Sequence, residues 1–147
     1  MSAKVAYDDV EAGTEIPAQT YGVSRAQLVQ YAGASGDFNV IHWNERFAKA
    51  VGLPDVIAHG MFTMATAGRL LTDWAGDPAA VVEYGVRFSS MVPVPDDDAG
   101  SRITVSGVIQ EKLGDKRVSV VLTARLGDDP AVGDKVLTQA RAVVQLS

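Results

Sequence analysis

The stretch Gly60-Met-Phe-Thr-Met-Ala-Thr-Ala-Gly-Arg-Leu-Leu-Thr-Asp-Trp74 predicts a long helix with very little polar surface. Only threonines, Arg69 and Asp73 interrupt its apolar residues. A helix that is apolar on nearly every side is expected to be buried on nearly every side. In a chain of 147 residues, a β-sheet is the element left to surround it.

The second half of the chain supplies that sheet. Four segments alternate in polarity with the period of two that is typical of half-buried antiparallel strands. They run from Val82 to Phe88, Ile103 to Ile109, Val118 to Ala124 and Val136 to Val144. Residues 15–23 contain Pro17 and predict an edge strand or an extended entry segment. We therefore predict one α+β domain over 1–147, a hotdog fold in which a curved antiparallel sheet of about five strands wraps around one long buried helix.

Two shorter helices precede the long one. Ser24 and Gln27 match a capping box, in which each side chain bonds the backbone amide of the other residue. Asn44 is a suitable N-cap for a second helix over 45–51, and Gly52 stands where a C′ glycine ends a helix. These helices bracket residues 37–42 and are expected to hold that segment from both sides.

The bracketed segment carries a carboxylate, an amide and an imidazole, in Asp37, Asn39 and His42. On a regular helix Asp37 and His42 would point about 140° apart, so they can face one centre only across an irregular turn. Gly36 and the helix break permit such a turn. A carboxylate and a neutral imidazole can together hold a water and move protons in both directions. Spacing alone also allows Asp37 to be a turn residue and His42 a hydrogen-bonded core residue.

Three nearby residues are open to two interpretations each. Asn39 either orients one of the pair or only makes an Asx turn. Gly60 starts a helix that has no obvious capping side chain, so its amide is available to an oxygen that gains negative charge. Alternatively, Gly60 only permits close packing. His59 either supports the site or only packs at the helix entrance, and we favour the packing role.

Composition excludes several classes of function. Thirteen basic against eighteen acidic residues give a net charge of −5, which does not favour nucleic acid as a partner. The absence of cysteine excludes disulfides, cysteine-based zinc sites and a thiol nucleophile, and two histidines alone make a dedicated metal site unexpected. Without a basic leader or an apolar run of about 18 residues, we expect no membrane association and a cytoplasmic location.

The motif Tyr31-Ala-Gly-x-Ser-Gly-Asp37-x-Asn39-x-Ile41-His42, followed by Ala58-His59-Gly60, resembles the hydratase-2 motif of the MaoC-like (R)-specific enoyl-thioester hydratases. The resemblance extends through residues 86–88 and 92–95. Within that family the chain is most similar to the HadB-type catalytic subunits of actinobacterial (3R)-hydroxyacyl-ACP dehydratases. The family usually has proline where this chain has Val40, a change that affects a turn and removes no reactive group.

The resemblance implies that Asp37 and His42 are the catalytic pair, that Asn39 supports them, and that the Gly60 amide binds the thioester carbonyl oxygen. It implies interconversion of (3R)-3-hydroxyacyl and trans-2-enoyl thioesters, as the dehydration step of type II fatty-acid or mycolic-acid elongation. It implies no metal and no cofactor, since the substrate is carried on CoA or acyl carrier protein. Alternatives are a stand-alone (R)-specific enoyl-CoA hydratase of β-oxidation or polyhydroxyalkanoate supply, a hotdog thioesterase, and a non-catalytic acyl-binding subunit.

The predicted architecture also implies a partner subunit. A single sheet covers its central helix on one side only, so the other side needs a second layer. We therefore expect a homodimer, or a heterodimer with a related hotdog subunit.

Overall fold

The computed structural model describes residues 3–147. Its helices are α1 (Arg25–Ser35), α2 (Glu45–Ala50) and α3 (Gly60–Ala75). Its strands are β1 (Glu15–Val23), β2 (Val81–Phe88), β3 (Ser101–Leu113), β4 (Arg117–Leu126) and β5 (Lys135–Gln145). The strands form one antiparallel sheet in the order β1-β3-β4-β5-β2. The predicted α+β hotdog arrangement, with five strands and one long helix, is confirmed.

Strands β1 and β2 form the two edges of this sheet. The pairing of β1 with β3 shifts register between Ile16 and Gln19, around Pro17. Proline has no backbone N–H to donate, and an edge strand tolerates that loss. The prediction of an edge strand over residues 15–23 is therefore confirmed.

Helix α3 packs against one face of the sheet, and its burial is one-sided. Leu70, Leu71 and Ala67 are fully buried against apolar strand residues. At four-residue spacing, one stripe of the same helix stays exposed in the single chain; it comprises Met61, Ala65, Arg69 and Asp73. Burial on nearly every side therefore does not hold for one chain, because a single sheet covers a single face of a helix.

The local signals at the helix ends match the structure. The Ser24 hydroxyl accepts from the Gln27 amide at 3.3 Å, and the Ser24 amide donates to Gln27 Oε1 at 2.8 Å, so the capping box is confirmed. Asn44 caps α2 by accepting from the Phe47 amide at 3.0 Å. Gly52 has φ +88° directly after α2, in the left-handed region that favours glycine.

Among residues 3–147, none of the helices combines the length and the hydropathy that crossing a bilayer requires.

Candidate active site

The predicted irregular turn follows α1. Gly36 ends that helix with φ +77°, in the left-handed conformation. The Asp37 carboxylate then accepts from the Asn39 amide at 3.2 Å, and the Asn39 side chain accepts from the Ile41 amide at 3.3 Å. Two successive Asx turns thus lead into a single 3-10 turn over Val40–His42. Asn39 supports this turn through both its backbone and its side chain.

His42 is buried, with one ring nitrogen already engaged. Its Nδ1 lies 2.6 Å from the carbonyl oxygen of Ile57. A carbonyl oxygen can only accept, so the proton of the neutral ring is on Nδ1 and the lone pair is on Nε2. The Ile57 carbonyl belongs to an extended segment that is itself held in place, since the Ile57 amide donates to the Ile41 carbonyl at 3.2 Å. The fold therefore presents His42 Nε2 as an acceptor.

The carboxylate of Asp37 lies beside this imidazole. Ligand atoms of Asp37, His42 and His59 all lie within 4.8 Å of one another. A water that makes two hydrogen bonds at a tetrahedral angle separates its partners by roughly 4.6 Å. A carboxylate oxygen of Asp37 and a ring nitrogen of His42 are therefore close enough for one water to bridge them. Asp37 is exposed, while His42 is buried.

His59, for which the sequence analysis favoured a packing role, contacts both Asp37 and His42. It is 1% exposed, its Nε2 lies 3.1 Å from the backbone carbonyl of Asp37, and its ring stacks on His42 with centroids 3.8 Å apart and planes at 24°. Burial lowers the pKa of His59, and the nearby His42 adds a smaller effect in the same direction. The available signal was that one of only two histidines directly precedes Gly60.

The three clustered side chains make a poor metal site. A metal ion lies close to the plane of each imidazole that binds it, and two ring planes at 24° with centroids 3.8 Å apart meet too far from the rings for one ion to lie in both. One nitrogen of each ring also contacts a backbone carbonyl. Nothing in this geometry calls for a metal, and the expected absence of one stays a prediction.

Helix α3 begins next to this cluster without a capping side chain. Its N-cap residue is His59, whose side chain makes no capping hydrogen bond. The first amides of the helix therefore lack the partners that a side-chain cap would supply. The start of α3, at Gly60, is adjacent to a residue that is stacked on His42.

His42 and Gly60 line the same cavity, which has a volume of about 260 Å³. The end of β2 and the segment after it supply much of its apolar wall, through Phe88, Met91 and Val92. A Cβ added to Gly60 would lie 3.2 Å from ring atoms of Phe88. Glycine here both leaves the helix start open and lets the Phe88 ring approach, so the two interpretations of Gly60 are compatible. Sequence analysis did not identify this wall, because its residues follow α3 by more than a dozen positions.

Comparison with known proteins places this geometry in a family. Residues 9–126 match the family model described as MaoC like domain. The chain is 44% identical over 79 residues to the 3-hydroxyacyl-thioester dehydratase X of Mycobacterium tuberculosis, across 54% of this chain and 27% of that protein. It is 29% identical over 142 residues to the 3-hydroxybutyryl-CoA dehydratase of Methylorubrum extorquens, across 95% of this chain and 83% of that protein.

Solved structures agree with this match. A MaoC-like dehydratase superposes with a TM-score of 0.89 at 40% identity, over 97% of this chain and 42% of that one. The (R)-hydratase PhaJ1 of Pseudomonas aeruginosa superposes with a TM-score of 0.82 at 22% identity, over 99% of this chain and 89% of that one, and shows the shared fold. The chain thus spans about a quarter of the mycobacterial dehydratase and less than half of the more similar structure. With a family model matched across most of its length and a hotdog fold in common, the chain belongs to the MaoC-like domain family.

Proposed function

We propose that the protein interconverts trans-2-enoyl thioesters and (3R)-3-hydroxyacyl thioesters by adding or removing water. One observation supports this most directly. A carboxylate and an imidazole lie within 4.8 Å of each other, and the imidazole shares a cavity with the uncapped start of a helix. A water-holding pair beside free backbone amides is what hydration of an enoyl thioester requires.

In the hydration direction, Asp37 and His42 would bind one water between them. Asp37 acts as the base, and His42 positions the water through Nε2, whose lone pair is set by the bond from Nδ1–H to Ile57. The water oxygen forms a bond to Cβ as one of its protons passes to the pair. The pair returns a proton to Cα, so hydrogen is added at Cα, hydroxyl at Cβ, and both residues end as they began.

The Gly60 amide would stabilise the charge that develops meanwhile. Attack at Cβ moves electrons onto the thioester carbonyl oxygen, and an N–H aimed at that oxygen is worth about 3–4 kcal/mol in comparable sites. The absence of a side-chain cap at His59 supports this role, because a capping group would compete for the same donors. No metal or redox cofactor takes part in this scheme, so dialysis against EDTA should leave the rate unchanged.

A hotdog thioesterase is the chemical alternative. That reaction calls for a carboxylate early on the central helix, where it can activate a water against the thioester carbonyl. The acid on α3 is Asp73, which is exposed and lies two residues before the C-terminal end of the helix. This position supports the hydratase over the thioesterase.

We further propose that the physiological reaction is the dehydration step of fatty-acid elongation. The similarity to the mycobacterial dehydratase supports this, as does 42% identity over 64 residues to the fatty acid synthase subunit beta of Saccharomyces cerevisiae, although the chain covers only 3% of that protein. The alternative is a stand-alone enoyl-CoA hydratase. The similarity to a 3-hydroxybutyryl-CoA dehydratase across 83% of its length supports that alternative.

We propose that a second hotdog subunit, identical or related, covers the open side of the chain. Apolar side chains remain exposed at the start of α3 and along the edge strand β2, including Met61 (56%), Val82 (50%) and Phe88 (54%). A chain of the ChsH1–ChsH2 complex of Mycobacterium tuberculosis superposes with a TM-score of 0.74 at 23% identity. That complex has this fold in a two-component assembly. Mass measurement of the protein purified alone and with a paralogue, with activity assayed on the same samples, separates the two cases.

The test of the activity is an assay on crotonyl-CoA with chiral analysis of the product. We expect loss of the enoyl absorbance and formation of the 3R alcohol. Asp37→Asn and His42→Ala should each lower kcat by at least about 100-fold with folding intact. Asp73→Asn is the matched control and should retain full activity, since Asp73 lies at the far end of α3.

Two results would contradict the proposal. Release of free thiol without change at the enoyl group would identify a thioesterase. Full activity in either Asp37→Asn or His42→Ala would exclude the pair. Comparing crotonyl-CoA with crotonyl-acyl carrier protein in the same assay distinguishes the two carriers.

A further inference from the structure

The chemistry above makes no use of His59, although this side chain touches both members of the pair. We propose that His59 is a positioning residue, which fixes the position of the Asp37 backbone relative to the His42 ring. Its kinetic consequence rests on the proposed hydratase function. Its structural consequence can be measured without any activity.

Two contacts carry the proposal. The Nε2–H of His59 donates to the carbonyl oxygen of Asp37 at 3.1 Å, which holds the backbone of the residue that bears the carboxylate. The face of the same ring lies against His42, with centroids 3.8 Å apart. A displacement of His59 would therefore move the carboxylate and the imidazole relative to each other.

His59 is itself held from behind. The Tyr31 ring from α1 lies 4.7 Å from the His59 ring, and the Phe62 ring from α3 meets Tyr31 edge-on at 5.6 Å. His59 is 1% exposed within this aromatic group. Because both flanking helices contribute, the position of His59 transmits their packing to the catalytic pair.

The Nδ1 atom of His59, which makes no hydrogen bond, helps to distinguish a positioning role from a packing role. The Nδ1 of His59 is buried and has no hydrogen-bond partner among residues 3–147. An unpaired buried acceptor is unfavourable, and a phenylalanine at this position would avoid it. The imidazole is therefore worse than phenylalanine for packing alone, and the bond from Nε2–H to Asp37 is what it adds.

This arrangement requires opposite tautomers in two stacked rings. His42 carries its proton on Nδ1, which faces the Ile57 carbonyl, and His59 carries its proton on Nε2, which faces the Asp37 carbonyl. These are the only two histidines in the chain, so ¹⁵N-histidine labelling reports on them alone.

The first experiment is a long-range ¹H–¹⁵N correlation spectrum of the labelled full chain near neutral pH, with His59→Gln used to assign the signals. We expect one Nδ1–H and one Nε2–H imidazole. Two rings with the same tautomer, or rapid averaging of both, would overturn the proposal whether or not the protein is a hydratase.

The second experiment compares His59→Phe with His59→Gln on crotonyl-CoA. Phenylalanine keeps the stacked ring and loses the donor, so we expect a stable fold, a KM within about twofold of wild type and a kcat lowered by about 10- to 100-fold. Glutamine keeps a donor near the position of Nε2 and should retain more of kcat. In the His59→Phe spectrum, His42 should keep its proton on Nδ1, because the Ile57 carbonyl still accepts from it, so a lower kcat reports a change in position and not in tautomer.

Each outcome decides the question. Wild-type kcat in His59→Phe would reduce His59 to a packing residue. If His59→Phe does not fold, His59→Gln and the wild-type spectrum carry the test. If the wild-type protein has no hydratase activity, the proposed function fails, and the tautomers still decide whether His59 positions the pair.

Discussion

The N-termini of α1 and α3 differ in whether side chains cap their free backbone amides. Every helix begins with amides that lack partners within the helix. At α1 the side chains of Ser24 and Gln27 satisfy them reciprocally. At α3 the N-cap is His59, whose imidazole turns away to bond Asp37.

The difference separates a structural helix start from a candidate functional one. At the closed start of α1 the capping side chains come from the helix itself, and neither of them lines the cavity. The open start of α3 borders the cavity that His42 also lines, so its donors remain available to an incoming oxygen. Substitutions at the two helices should therefore affect different quantities, activity at α3 and stability at α1.

The largest effect is expected for Gly60→Ala at the open start. The new methyl group would lie 3.2 Å from the Phe88 ring, so the ring or the helix must shift where the amide is proposed to meet the substrate oxygen. If this shift moves the amide out of reach of the oxygen, kcat/KM for crotonyl-CoA should fall by about 100-fold, the effect of losing one oxyanion donor. Thermal unfolding should show a folded protein.

Gly33→Ala is the matched control within α1. A Cβ at Gly33 would meet nothing within 4 Å, so alanine should raise stability by about 0.5–1 kcal/mol and leave kcat unchanged. An equal loss of activity in both variants would contradict the contrast between the two helices.

Arg25→Gln should give the largest loss of stability. Arg25 is the first residue of α1, where a positive charge is unfavourable. Its guanidinium compensates through ion pairs with Asp55 and Glu45 and by donating to the Val94 carbonyl at 2.9 Å. Asp55 is only 18% exposed, so losing its cation should lower the free energy of unfolding by about 2 kcal/mol in urea titration. Arg102→Gln breaks an exposed pair with Asp128 and should change it by less than about 0.5 kcal/mol.

A smaller loss is expected for Ser24→Ala at the closed start. Removing the capping hydroxyl should lower stability by about 1 kcal/mol, because the Gln27 amide loses its acceptor. The kinetics should not change, since Ser24 contacts no candidate catalytic residue. A fall in kcat with normal stability would show that the two helix starts are not independent.

The smallest effect is a dependence of stability on pH. The pKa of His59 is lowered by burial from its ordinary value of 6.5, so the unfolded chain binds a proton at a higher pH than the folded chain does. Stability should be unaffected above pH 7 and should decrease as pH falls through 6.5, by less than about 1 kcal/mol at pH 6. His59→Phe should lack this loss of stability at low pH. An identical pH dependence in that variant would contradict the interpretation that His59 is buried in its neutral form.

Much of the candidate site could be predicted because its signals are local. The turn chemistry of Asp37 and Asn39 acts over two residues, and each bond in the structure spans that distance. The catalytic roles of Asp37, His42 and Gly60 remain predictions that kinetics must test. The contact of His59 with His42 could not be predicted, because it joins residues seventeen positions apart that meet only when α3 docks.

By itself, the sequence determined where the helices begin, which segments alternate as strands, and which reactive groups share one short turn. These follow from capping and from periodicities of 3.6 and 2, which act between near neighbours. The tertiary structure alone decided which face of α3 stays exposed, which nitrogen of His42 is free, and which loop closes the cavity. Those outcomes depend on contacts such as Arg25 with Val94, 69 residues apart, whose geometry is set only when the sheet and the helix pack together.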